Sequence, residues 1–392
     1  MVKNIAILGS TGSIGKNALR VIDALGAQYK ISALSAHSNV KLLAEQVRRY
    51  RPKFVAVTNP DYDKEFRGLI DDLDIEIIAG PDGLVEIARL EEVDIVLTAV
   101  VGSAGLPAVL TAAGNGKQLA IANKEPLVIA GQLLMKVAKE NGSTILPVDS
   151  EHSAVFQAMQ SGSREEVNKI ILTASGGPFR EATVEDIKNV SLEQTLSHPV
   201  WNMGPKITVD SATMMNKAFE VIEAHWLFDM PAEKIDVLIH PESIVHSLVE
   251  FIDGSMIAQL GEPDMCLPIQ YALTYPQRVA GITKPLRLEE IGNLTFEKPN
   301  LEVFRALALG FEVAQAGGTA AVVFNAANEA AVEEFLAGRI DFVTIMDLIE
   351  HCLNKHNVKT SLSLEDIFEA DSWARREVTG TIKHGAESAR TK

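Results

Sequence analysis

Through residue 149, short apolar runs alternate with amphipathic stretches. The runs fall at 5–8, 31–34, 54–57, 75–78, 94–100, 118–122 and 144–148. They are rich in β-branched residues and spaced by roughly 20–25 residues, the length of a strand plus a crossover helix, which predicts a buried parallel sheet. Beyond residue 149 the rhythm changes. Runs at 170–173, 207–209, 237–239, 244–251 and 256–260 predict a second sheet, interrupted by a polar connection at about 175–206. A connection that long is usually a functional loop. Pro276, Gly281, Pro285, Gly292 and Pro299 make 275–300 read as a linker, and from Leu301 onward the chain reads as helical, with a break at Gly317-Gly318. The pattern therefore predicts an α/β protein. A Rossmann-like parallel sheet occupies 1–149, an α+β domain with a lid loop 150–274, and a helical domain 301–392.

The first run leads directly into Gly9-Ser10-Thr11-Gly12-Ser13-Ile14-Gly15 and a helix predicted at 16–25. Glycines let a backbone turn sharply beside a pyrophosphate, and the following helix N-terminus offers N–H groups and a partial positive charge. The spacing is a variant of the dinucleotide fingerprint, and a purely structural glycine turn is the competing reading. The second strand ends in Ser35-Ala36-His37-Ser38-Asn39 with Lys41 nearby, where an NAD site usually carries an acid. NADP is favoured over NAD. The alternative is an Asn-capped helix start. Asn123-Lys124-Glu125 follows the strand at 118–122, on the edge where ligands bind. Lys124 there can meet a substrate hydroxyl or the nicotinamide ribose, or it can be a surface lysine.

Asp149-Ser150-Glu151-His152 follows the strand at 144–148. Two carboxylates at i and i+2 in an irregular turn can converge on a hard cation such as Mg²⁺ or Mn²⁺. Downstream, Asp210 or Ser211 is placed to cap a helix running to about residue 228. Asn216, Lys217 and Glu220 share one face of that helix. A phosphate on Ser211, Asn216 and Lys217 beside a metal on Glu220 is chemically coherent; a solvated Lys–Glu pair is the bland reading. Glu223 continues the face.

Within the long connection, His198-Pro199-Val200-Trp201-Asn202-Met203-Gly204 carries apolar groups in a stretch without helical or strand period. A loop closing over a ligand would use them to exclude water. Ser175-Gly176-Gly177-Pro178 at its start offers a hydroxyl and backbone N–H groups to a phosphate.

Composition narrows the partners. A net charge of −16 argues against a nucleic-acid backbone as partner, while leaving room for a small anion held by local cations. Cys266 and Cys352 have no paired spacing and read as reduced, inert thiols. No apolar run approaches the roughly 20 residues that span a bilayer, and no secretory leader is expected. A cytoplasmic protein is expected.

Taken in order, Gly9 to Gly15, Asn123-Lys124-Glu125, Pro147-Val148-Asp149-Ser150-Glu151-His152, Ser175-Gly176-Gly177-Pro178-Phe179 and Val209-Asp210-Ser211-Ala212-Thr213-Met214-Met215-Asn216-Lys217 closely resemble the 1-deoxy-D-xylulose 5-phosphate reductoisomerase family over nearly the whole chain. The resemblance implies a homodimer of non-mevalonate isoprenoid synthesis. Its reaction is a metal-assisted retro-aldol/aldol rearrangement of 1-deoxy-D-xylulose 5-phosphate, followed by hydride transfer from NADPH. It implies metal ligands Asp149, Glu151 and Glu220 for Mg²⁺, Mn²⁺ or Co²⁺, and catalytic roles for Lys124, Glu151 and His198. Substrate contacts fall to Lys124, Ser150, Glu151 and Glu220 at the hydroxyl end, Ser175, Ser211, Asn216 and Lys217 at the phosphate, and His198 and Trp201 in the lid. Cofactor contacts fall to Gly9, Ser10, Thr11, Gly12, Ser13, Ile14, Gly15, Ala36, His37, Ser38, Asn39, Asn123, Glu125, Met203 and Gly204. Pro205 and His37 depart from the family pattern. Two other readings share the first domain: a plain NADP-dependent semialdehyde or homoserine-type dehydrogenase, which needs no metal-bridging acids, and a non-catalytic NADP-sensing module, which needs no polar helix face.

Overall fold

In the computed structural model, residues 2–198, 200–201, 203–360 and 362–390 are described, with side chains through residue 384. Pro199 and Asn202 of the lid motif lie outside the described residues. The chain forms two units.

The first unit comprises residues 1–126, 134–157 and 264–286. It runs β1 (Lys3–Leu8), α1 (Ser13–Leu25), β2 (Tyr29–Ala36), α2 (Val40–Tyr50), β3 (Phe54–Val57), α3 (Asp63–Leu69), β4 (Glu76–Ala79), α4 (Gly83–Arg89), β5 (Ile95–Thr98), α5 (Leu106–Gly114), β6 (Gln118–Ile121), α6 (Glu125–Asn141), β7 (Thr144–Pro147) and α7 (Ser150–Ala158). The strands pair in parallel in the order β4-β3-β2-β1-β5-β6-β7. The order reverses between β1 and β5, which places the glycine turn after β1 at the switch point where such sheets bind ligands. Ile5, Ile7, Leu34, Val55, Val57, Ile95 and Leu97 are fully buried, as expected of a sheet covered on both faces. Cys266, Ile269 and Leu273, from a helix far downstream, complete this core.

The second unit comprises residues 127–133, 158–263 and 287–392. Continuing along the chain, β8 (Val167–Ala174), α8 (Leu192–Thr195), α9 (Pro205–Ala212), α10 (Met215–Leu227), β9 (Ile235–Ile239), β10 (Val245–Phe251) and β11 (Met256–Leu260) precede α11 (Cys266–Thr274), which belongs to the first unit. Then follow α12 (Leu288–Ile291), α13 (Arg305–Ala316), α14 (Ala320–Leu336), α15 (Phe342–Lys355) and α16 (Leu364–Arg390). The second sheet has the order β11-β10-β8-β9, with β8 and β9 parallel and the other pairs antiparallel. No described helix is long and apolar enough to cross a membrane. Both cysteines are buried, and burial pushes their thiols up to about 11 for Cys266 and about 12 for Cys352, so both stay protonated and inert.

Three sequence expectations are corrected. The run at 207–209 is not a strand but part of α9. Its β-branched residues read as extended, yet Pro205 opens a helix that buries Thr208, Val209 and Ala212. The following helix therefore does not start at Asp210 or Ser211. It starts after Met214, which takes a left-handed conformation at φ 62° between α9 and α10. Finally, Ser150, Glu151 and His152 are not an irregular turn but the first turn of α7.

Candidate active site

The glycine turn is built by close approach. Gly9 has φ +90°, and a Cβ there would stand 2.5 Å from the Ala99 carbonyl oxygen. A Cβ on Gly15 would stand 2.4 Å from the Gly9 carbonyl oxygen and 2.5 Å from Ser10 Cα. The start of α1 is thereby pressed onto the turn. Its N-cap is Gly12, no side chain caps it, and no acid sits in its first turn, which suits an anion. Gly15→Ala is expected to weaken NADPH binding by roughly 30-fold, about 2 kcal/mol of forced displacement. Fluorescence titration with NADPH measures this, and an unchanged Kd would remove the cradle from the site.

Ser10 sits in this turn but its side chain faces inward. It is fully buried, and its hydroxyl donates to Gln46 Oε1 at 2.6 Å and lies 3.2 Å from the Ser35 carbonyl. It fixes the turn rather than offering a side chain to a ligand. Ser35 serves the same turn, its hydroxyl accepting from Gly9 N at 2.9 Å. Ala36 is buried at the end of β2, and His37, Ser38 and Asn39 are exposed beyond it. His37 Nδ1 meets Thr58 Oγ1 at 2.9 Å, while Asn39 caps α2 by accepting from Leu42 N at 3.3 Å. Asn123, just past β6, accepts from Thr98 Oγ1 at 2.8 Å. Its amide nitrogen is buried without a hydrogen-bond partner among the described residues. A spare buried donor at this edge, together with the cradle, fits a dinucleotide. Glu125, next in the chain, opens α6 and is buried.

At the end of β7, Asp149 Oδ1 accepts from the backbone N–H of Glu151 at 3.1 Å and of His152 at 3.3 Å, capping α7. Its other oxygen is paired with Lys124 Nζ. Ser150 donates to Glu151 Oε2. Lys124 is thus not a loose surface lysine. It is half-buried and engaged with an acid of the site.

In the second unit, α10 carries the remaining candidate residues. Lys217 and Glu220 are buried and paired, and Asn216 Nδ2 donates to Glu220 Oε1 at 2.6 Å. The reading of a solvated pair is excluded by that burial. Ser211, half-buried at the end of α9, stands beside the turn that follows β8, because a Cβ on Gly177 (φ +64°) would meet the Ser211 carbonyl oxygen at 2.8 Å. The turn that Ser175 opens therefore packs on the backbone of Ser211.

The lid segment is tied to the same turn. His198 Nδ1 accepts from the N–H of Val200 at 3.2 Å and of Trp201 at 2.9 Å, which requires a neutral ring protonated at Nε2. That Nε2 lies 3.3 Å from Ser175 Oγ, which also accepts from Gly177 N at 3.3 Å. Trp201 and Met203 are half-buried, and Gly204 is the extended N-cap of α9. Burial holds the His198 pKa below its ordinary 6.5. A depressed histidine leaves the ordered segment intact above the ordinary value and weakens it as pH falls through the lower one. KM for a phosphorylated substrate is expected to climb as pH drops below about 6.5, and His198→Asn, whose Oδ1 can still accept, is expected to flatten that climb. Parallel KM–pH profiles of the two proteins would refute this.

The residues fit both groups. The side chains of Asp149, Glu151 and Glu220 offer only oxygen donors, the set a hard divalent cation prefers. A parallel sheet with a glycine cradle at its switch point, with acids at the end of β7 and a polar face on α10, defines an NADP-dependent oxidoreductase that works with a divalent cation. The chain belongs to the 1-deoxy-D-xylulose 5-phosphate reductoisomerase family. Residues 5–131 match the model of 1-deoxy-D-xylulose 5-phosphate reductoisomerase, residues 145–228 that of its C-terminal domain, and residues 260–377 that of a DXP reductoisomerase C-terminal domain. The 1-deoxy-D-xylulose 5-phosphate reductoisomerase of Geobacillus sp. (strain WCH70) is 52% identical over 386 residues, covering 97% of this chain and 100% of that one. The Zymomonas mobilis enzyme in complex with NADPH superposes with a TM-score of 0.91 at 41% identity, over 97% of this chain and 99% of that one. A DOX-P reductoisomerase in complex with NADPH, fosmidomycin and magnesium superposes with a TM-score of 0.92 at 42% identity, over 97% and 98%. The readings as a plain dehydrogenase or a sensing module give way to this family.

The sequence missed the residues that hold the site from behind. Gln46 fixes Ser10, Thr98 orients Asn123, and Asn328 holds Asp210. Each is a common polar residue in an ordinary helix or strand, with no local signal of its partner.

Proposed function

We propose that the chain converts 1-deoxy-D-xylulose 5-phosphate to 2-C-methyl-D-erythritol 4-phosphate with NADPH and a divalent cation. The observation that carries this is the end-to-end likeness to a family member complexed with NADPH, fosmidomycin and magnesium. When bound, NADPH supplies the hydride, and Mg²⁺, Mn²⁺ or Co²⁺ polarises the substrate's carbonyl and neighbouring hydroxyl during the retro-aldol/aldol rearrangement.

The chain's own groups divide the remaining work. The glycine cradle carries the cofactor, and Asp149, Glu151 and Glu220 hold the cation. Lys124 and Ser150 orient the hydroxyl end of the substrate. Ser175, Ser211, Asn216 and Lys217 take its phosphate, and that remote binding supplies free energy for ordering the reacting end. His198 and Trp201 close over the substrate and exclude water, with Met203 and Gly204 beside the nicotinamide. His37 and Ser38 stand at the end of β2, where the cofactor's 2′-phosphate is expected.

We also place the protein in the cytoplasm as a homodimer. In support, β11 is an edge strand of half-exposed residues, a surface that a second copy can continue. Incubation with the sugar phosphate, NADPH and Mg²⁺, followed by mass and NMR identification of the product, tests the reaction. Recovery of a reduced but unrearranged sugar would reject it.

A further inference from the structure

Three of the four phosphate-binding candidates, Ser211, Asn216 and Lys217, lie on the α9–α10 hairpin, and that hairpin is gripped from behind by the helical C-terminal region. Asn328 on α14 is fully buried, and its Nδ2 donates to Asp210 Oδ1 at 2.9 Å. Asp210, itself 2% exposed, has its other oxygen 2.8 Å from Lys206 Nζ on the first turn of α9. Lys206 lies over the Phe219 ring at 5.2 Å, and Phe219 packs edge-on against Phe324 of α14 at 5.5 Å. On the other side a Cβ on Gly310 of α13 would stand 2.8 Å from Ala218 Cα, so α13 is seated on the backbone beside Lys217.

An apolar pair could hold α9 on α14 as firmly. A carboxamide–carboxylate bond adds direction, and it fixes both the rotation and the height of α9. The amide oxygens of Asn328 and Asn325 are both buried with no hydrogen-bond partner among the described residues, so what sets Asn328 apart is its bond to Asp210. Ser211 follows Asp210 directly, and Lys206 lies two residues after Gly204 at the end of the lid. We propose that Asn328 is a positioning residue for the substrate phosphate, acting through Asp210 on Ser211 and on the lid's anchor at Lys206. This rests on the reading of Ser211, Asn216 and Lys217 as phosphate ligands.

The test compares Asn328→Ala with Asn325→Ala in the full chain. Asn325 is on the same helix and equally buried, but it bonds Glu329 at 3.1 Å rather than α9. The readouts are KM for 1-deoxy-D-xylulose 5-phosphate, Ki for fosmidomycin, whose phosphonate stands in for the phosphate, Kd for NADPH, and Tm. Asn328→Ala is expected to raise KM and Ki about tenfold with NADPH Kd unchanged, a misplacement effect. Asn325→Ala is expected to lower Tm without moving KM or Ki. Asn328→Ser, which keeps a short donor, is expected to fall between and serves if the alanine variant does not fold. Unchanged KM and Ki in the Asn328 variants, or equal shifts in Asn325→Ala, would overturn the proposal. Lys217→Met is measured alongside. If it too leaves Ki unchanged, the phosphate reading itself fails; if it alone raises Ki, only the positioning role falls.

Discussion

Glu220→Gln is expected to lower kcat by roughly 10³-fold, about 4 kcal/mol of lost transition-state stabilisation, while leaving the Kd for NADPH within about twofold. The substitution keeps the side chain's size and an oxygen that accepts from Asn216, and it removes the charge, including the one paired with Lys217. A carboxamide is a poor ligand for a hard cation where a carboxylate is a good one. The cofactor cradle is built in the first unit from Gly9, Gly12 and Gly15, and Glu220 contributes nothing to it. Steady-state kinetics with NADPH titration separate the two effects. Loss of both in proportion would mean that Glu220 supports the fold rather than the chemistry.

Lys217→Met is expected to act twice. Without its lysine, Glu220 is a buried carboxylate that has lost its paired cation and keeps the hydrogen bond from Asn216. Removing one partner of such a pair costs about 3–5 kcal/mol, which for a chain of this size lowers Tm by roughly 5 °C when divalent ions are absent. Added Mg²⁺ then compensates the orphaned charge, so the ion should raise Tm more in the variant than in the parent. The second effect is on the substrate: loss of a phosphate ligand should raise KM by roughly 10²-fold. Thermal melts with and without Mg²⁺ check the first effect. An equal response to Mg²⁺ in both proteins would separate Glu220 from the metal.

Much of this site could be read in the chain because its parts are local. Gly9 to Gly15 lie directly after a strand, and every predicted strand of the first sheet is found, since buried parallel strands are continuous apolar runs. Asn216, Lys217 and Glu220 share a helical face by spacing alone, which holds wherever the helix begins. The errors arise where tertiary packing overrides local preference. Ile207-Thr208-Val209 is β-branched and reads as a strand, but Pro205 and the buried Asp210 commit it to a helix against α14. Ser10 lies inside a cofactor motif yet points at Gln46, a partner 36 residues away that no motif names. Nothing in Cys266-Leu267-Pro268-Ile269 says that α11 returns to complete the core of the first sheet. The Asp210–Asn328 bond spans 118 residues and is visible only once the helices are stacked.

The most direct measurement is NADPH oxidation, followed by absorbance, with 1-deoxy-D-xylulose 5-phosphate in the presence of Mg²⁺, then EDTA, then Mg²⁺ restored. Oxidation that needs both the sugar phosphate and the ion, stops in EDTA and resumes on adding Mg²⁺ is the expected result. Oxidation that continues undiminished in EDTA, or none at all with substrate and ion present, would contradict it.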